Sequence, residues 1–109
     1  MASDKDFVDF VADQLEGAGC ITYRKMFGEY GIYCNGTIVA LVCDNRVFVK
    51  PTEAGRQYIG EVLEAPAYPG AKNSFLIEDK FEDREWFSEL ISITEKELLK
   101  APKSKKRKL

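Results

Sequence analysis

MFGEYGIYCNGTIVALVCDNRVFVKP, residues 26–51, decides the fold. Two short polar breaks, Asn35-Gly36 and Asp44-Asn45, divide it into three apolar runs. Asn-Gly suits a two-residue type I′ turn, in which both central residues need positive φ. Gly tolerates that conformation and Asn tolerates it better than most residues. The stretch therefore predicts three consecutive antiparallel strands, with Cys34 opposite Thr37 and Cys43 opposite Arg46. One face then collects Gly31, Tyr33, Ile38, Ala40, Val42, Val47 and Val49. The other collects Tyr30, Ile32, Cys34, Val39, Leu41, Cys43 and Phe48, with Arg46 and Lys50 at its ends. Both faces are apolar, whereas an antiparallel sheet with one wet face alternates apolar with polar. Something beyond one layer of helices is expected on the second face: another part of the chain, a second subunit or a ligand.

The flanks read mainly as helix. Residues 4–16 carry Phe7, Val8, Phe10, Val11 and Leu15 on one side and Asp4, Asp6, Asp9 and Asp13 on the other, with Ser3 as a possible N-cap. Gly17 and Gly19 end this helix, and Cys20 to Lys25 alternates as a first strand. After Pro51, Thr52 caps a predicted helix over 53–64 with Tyr58, Ile59, Val62 and Leu63 as its stripe. Gly55 and Gly60 each weaken it by up to ~1 kcal/mol relative to Ala. Residues 65–73, with Pro66, Pro69 and Gly70, read as a loop, and Ser74 to Glu78 as a strand. The strongest helix spans 83–100, capped by Asp83, with Trp86, Phe87, Leu90, Ile91, Thr94 and Leu98 at helical spacing. The element order α-β-β-β-β-α-β-α predicts an α+β fold, a two-layer sandwich of antiparallel sheet and amphipathic helices. One domain spans residues 1–102, and residues 103–109 form a basic disordered tail.

Composition narrows the function. The chain has 109 residues, 45% hydrophobic and 31% charged, enough for one core. No apolar run approaches the ~20 residues a membrane helix needs. The acidic, amphipathic N-terminus is unlike a signal peptide, so a cytoplasmic protein is expected. Three cysteines, Cys20, Cys34 and Cys43, make neither a disulfide framework nor a zinc pattern and read as small hydrophobes. The chain has no histidine, which removes imidazole bases, histidine triads and histidine metal ligands. Five of the 16 basic side chains (Lys103, Lys105, Lys106, Arg107 and Lys108) fall at the C-terminus, leaving 11 against 18 acidic ones before it. Such an acidic body is a poor duplex-DNA reader across its whole surface.

The run Arg24-Lys25-Met26-Phe27-Gly28-Glu29-Tyr30-Gly31-Ile32-Tyr33, then Asn35-Gly36, Ala40-Leu41-Val42 and Val47-Phe48-Val49-Lys50, resembles the N-terminal domain of the TfoX/Sxy family. The likeness continues more weakly through Tyr58, Tyr68, Phe75 and Trp86. It implies a two-layer α/β sandwich similar to secretion chaperones, in a family of competence regulators and small stand-alone proteins. Glu29 stands where the family often has glycine. Longer members carry a second, helical domain that this sequence lacks, and the resemblance brings no catalytic residues.

Together these readings predict a non-enzymatic regulatory or protein-interaction module, a homodimer, with no cofactor, no metal and no membrane association. The candidate contact residues are Arg24, Lys25, Phe27, Tyr30, Phe48 and Lys50. Arg24 and Lys25 beside Phe27 and Tyr30 suit phosphates and bases; the plainer alternative makes the aromatics core and the charges a strand-edge guard. The tail would bind nucleic acid weakly and without sequence choice, or merely solubilise the terminus. Glu78, Asp79, Glu82, Asp83 and Glu85 read as a solvated acidic face.

Overall fold

Both predicted turns adopt left-handed backbone: φ is 52° and 88° at Asn35 and Gly36, and 55° and 56° at Asp44 and Asn45. The computed structural model describes residues 4–26 and 29–106. Its helices are α1 (Lys5–Gln14), α2 (Glu53–Ile59) and α3 (Arg84–Lys106). The strands are β1 (Ile21–Met26), β2 (Glu29–Cys34), β3 (Thr37–Cys43), β4 (Arg46–Val49), β5 (Leu63–Pro66) and β6 (Asn73–Ile77). Short 3₁₀ turns occupy Glu16–Ala18 and Lys80–Glu82. The strands make one six-stranded antiparallel sheet in the order β1-β2-β3-β4-β6-β5. The α+β class stands, with one strand more than the sequence suggested.

The extra strand is β5. Val62 and Leu63 sit at helical spacing from Tyr58 and Ile59, which disguises it. Gly60 (φ 86°) caps α2 just after Ile59, its N–H on the Arg56 carbonyl at 2.9 Å. The chain then reverses and Leu63–Pro66 pairs with Asn73–Ile77. Pro66, with no N–H to give, is tolerated because β5 is an edge strand. Gly55 also has a positive purpose. A Cβ there would stand 3.6 Å from both Leu90 Cδ1 and Phe75 Cε2, and 2.8 Å from Thr52 Oγ1. Its absence lets α2 lie close against α3 and the sheet while Thr52 caps the Gly55 N–H at 2.9 Å.

A second correction concerns faces. Tyr33 pairs with Ile38 but Ile32 pairs with Ala40, so β3 bulges at Val39. Beyond the bulge Tyr30 faces the side of Val42, and Ile32 that of Ala40. Tyr30, Ile32, Cys34, Val39, Ala40, Val42, Val47 and Val49 thus all enter one core, where uninterrupted pairing would divide them between faces. Over them lie Val8, Val11 and Leu15 before β1 and Phe87, Leu90 and Ile91 of α3, all fully buried. Among the described residues the helices pack on this face. Phe10, counted on the apolar stripe of α1, is 43% exposed, its ring edge-on to that of Phe81 at 6.2 Å between centroids.

Polar contacts fix the helices. Ser3 lies outside the described residues; the N-cap of α1 is Asp4, whose side chain makes no capping bond. Asn45 supplies an acceptor from the β3–β4 turn, its Oδ1 2.8 Å from the Asp4 N–H. The Tyr23 hydroxyl donates to Asp9, and Lys5 Nζ lies 3.0 Å from the same carboxylate, tying α1 to β1. These partners, Tyr23 before Lys5, hold the Asp9 carboxyl below its ordinary range. Asp83 caps α3 through the Trp86 N–H at 3.1 Å. The helix runs to Lys106, past Pro102 and beyond the stop expected at residue 100.

Buried Gln14 donates from Nε2 to the carbonyls of Phe81 and Glu82, each at 3.0 Å. Gln14→Ala would orphan the Phe81 carbonyl inside, and it is expected to cost about 1–3 kcal/mol. Lys5→Ala, which removes an exposed ion pair with Asp9 and a distant contact with the Tyr23 ring, should cost less. Urea midpoints of the two variants check the contrast.

Candidate binding groove

The helix-free face has a continuous row: Gly31 pairs with Leu41, Leu41 with Phe48, Phe48 with Leu76 and Leu76 with Leu63. Phe48 is only 1% exposed, with the Arg46 guanidinium 5.6 Å from its ring centroid. Leu41 and Leu76 are half-buried, and Leu63 is 57% exposed. Beside this row lies a groove of about 580 Å³. Ile38, Leu41 and Cys43 of β3 form its floor, and Tyr30, Tyr68, Glu29 and Lys50 complete its lining.

Local structure positions each polar group. The Lys50 N–H bonds the Val39 carbonyl at 2.9 Å, extending the β3–β4 ladder and setting Lys50 at the bulge end of the groove. Glu29 lies at the other end, its Oε2 accepting from the Asp44 N–H at 3.1 Å. Tyr68 begins a tight turn through Pro69 and Gly70 (φ 89°), closed by the Ala71 N–H on the Tyr68 carbonyl at 3.0 Å. Cys43 is 5% exposed. Burial, then Glu29 and Asp44, raises its thiol to about 11, so at neutral pH it adds neutral, weakly polar surface.

The structure brings together part of the predicted site. Tyr30 and Lys50 line the groove and Phe48 lies beside its floor, paired with Leu41. Tyr30 also belongs to the core, 8% exposed and edge-on to Tyr23 at 5.7 Å. Arg24 and Lys25 are exposed on β1, paired with Gly31 and Tyr30 respectively; neither lines the groove, and as strand neighbours they address opposite faces. Phe27, Arg107 and Lys108 lie outside the described residues. Lys103, Lys105 and Lys106 fall in α3, with no described side-chain positions. The carboxylates of the 78–85 segment are exposed. Among the described residues no group of three or more Cys, Asp or Glu is placed to hold a metal ion. No helix among them is long and apolar enough to cross a membrane.

Sequence reasoning missed Tyr68 and the joint use of Ile38, Leu41 and Cys43. Leu41, Cys43 and Lys50 already share a face in the alternation, a signal that could have found the floor. Nothing local ties Tyr68 to it.

The TfoX N-terminal domain profile matches residues 13–97, a span that includes every strand and the whole groove. An uncharacterized 12.7 kDa protein in the trpE 5′ region of Spirochaeta aurantia is 37% identical over 108 residues, covering 99% of this chain and 93% of that protein.

The thiols should differ in reactivity. Cys20 is exposed, whereas Cys34 and Cys43 are buried, with burial the first cause of a raised pKa at each. A chromogenic disulfide reagent at neutral pH is expected to label Cys20 alone until urea is added. Because the folded Cys43 pKa lies above its ordinary value of 9.0, its contribution to stability is full below pH 9 and is lost as pH rises toward about 11. Cys43→Ala should therefore flatten the decline in melting temperature across that window.

Proposed function

The chain belongs to the TfoX N-terminal domain family, and from that membership and the helix-free sheet face we propose a non-enzymatic regulatory module that works by binding. The observation that carries this reading is the apolar row from Leu41 through Phe48 and Leu76 to exposed Leu63, with an open groove beside it and no helix over it. Exposed apolar side chains grouped on one face mark interaction sites, and here Leu63 and Tyr68 are the most exposed. Regulation is the role of the competence proteins that carry this domain. The partner is a protein surface, with a second copy of this chain as the first candidate: a two-fold arrangement lets the same apolar patch meet itself.

Sedimentation equilibrium at micromolar concentration tests the reading. The wild type is expected to be a dimer, and Leu63→Arg a folded monomer. Leu63 is exposed on an edge strand, so its replacement spares the core. A wild-type monomer throughout removes the self-association, and an undiminished Leu63→Arg dimer places the contact on another surface.

A further inference from the structure

We propose that the groove on the helix-free face is a site for a small apolar carboxylate, held by Lys50 at one end and by the floor of Ile38, Leu41 and Cys43 along its length. The inference rests on the reading that this face is the binding surface, and it names a ligand that would regulate access to it.

Shape and charge select this occupant. A concavity of about 580 Å³ with an apolar floor, aromatic sides and few polar groups has the form of a small-molecule site. The polar groups are not equivalent. Glu29 already accepts the Asp44 N–H, so its carboxylate is committed to the turn. Lys50 is half-buried as a residue, and its ammonium has no ion-pair partner among the described residues. It is the charge that a ligand can neutralise, and only an anion does so. The floor runs from Ile38, beside Lys50, to Cys43, beside Glu29. The five steps of strand from Ile38 to Cys43, at no more than about 3.3 Å each, give room for a short extended chain. An anionic head at Lys50 leaves the ligand's apolar body on Ile38 and Leu41, and Tyr68, 55% exposed, gains cover when the groove fills.

Octanoate is the probe, with octanol as its neutral counterpart and octylamine as its cationic one. Titrations are followed by methyl chemical shifts of Ile38 and Leu41 and by calorimetry. Octanoate is expected to bind one per chain, roughly tenfold more tightly than octanol, since a charged hydrogen-bond partner contributes at about that level. Lys50→Gln should bring the two affinities together while the fold, followed by circular dichroism, is unchanged. Equal binding of octanoate and octanol by the wild type overturns the proposal. So does tighter binding of octylamine, which would assign the groove to Glu29 and a cation, and so does absence of binding at millimolar octanoate. Repeating the titration on Leu63→Arg separates the two readings. Octanoate binding retained there beside a monomeric wild type sustains the ligand site without the dimer. A wild-type dimer that Leu63→Arg dissociates, with no octanoate bound by either protein, removes the ligand and keeps the partner surface.

Discussion

One residue too many on β3 organises this molecule. Where Val39 is skipped in the pairing between Ile32–Ala40 and Tyr33–Ile38, the alternation of β3 resets. Val39 and Ala40, neighbours in sequence, both enter the same core, which an unbroken strand cannot arrange. The reset brings Ala40 and Val42, and with them Val49 and Val47 of β4, onto the face that Tyr30, Ile32 and Cys34 share by the plain alternation of β2. It also decides what remains on the far side: Ile38, Leu41, Cys43 and Phe48. Core and groove are two results of the same offset.

Helix docking follows from that allocation. The core face offers small and β-branched residues at its centre (Val39, Ala40, Val42, Val47 and Val49), and α3 meets them with larger ones, Phe87, Leu90 and Ile91. Large against small across the contact fills space without strain. Thr94, buried within α3, returns its hydroxyl to the Leu90 carbonyl at 2.8 Å and so leaves no unmet donor. The opposite face has no such cover, and its residues are accordingly graded from buried Phe48 to exposed Leu63.

Much of this was legible in residues 26–51. Asn35-Gly36 and Asp44-Asn45 gave both turns, and the Thr52 and Asp83 caps appear as side-chain bonds to Gly55 and Trp86. The bulge was not legible, because Ile38, Val39, Ala40 and Leu41 are all apolar and no pattern marks where the skip falls. β5 was hidden for a related reason: Val62 and Leu63 continue a helical spacing that the backbone of Gly60 ends. At the groove, Lys50 and Tyr30 could be singled out by type and position. Tyr68 could not, since its relation to them depends on a turn 18 residues beyond Lys50 in the chain.

The Asn45 side chain has a consequence for how the chain assembles. It holds the start of α1 from a position 41 residues away in sequence. An isolated ten-residue helix is marginal in water, and the acceptor that fixes this one exists only once the β3–β4 hairpin has closed. Synthesis delivers α1 first, yet its anchor is made much later. The first element of the chain is thus completed at its start by the hairpin turn, a contact that spans the whole of β1, β2 and β3 in sequence.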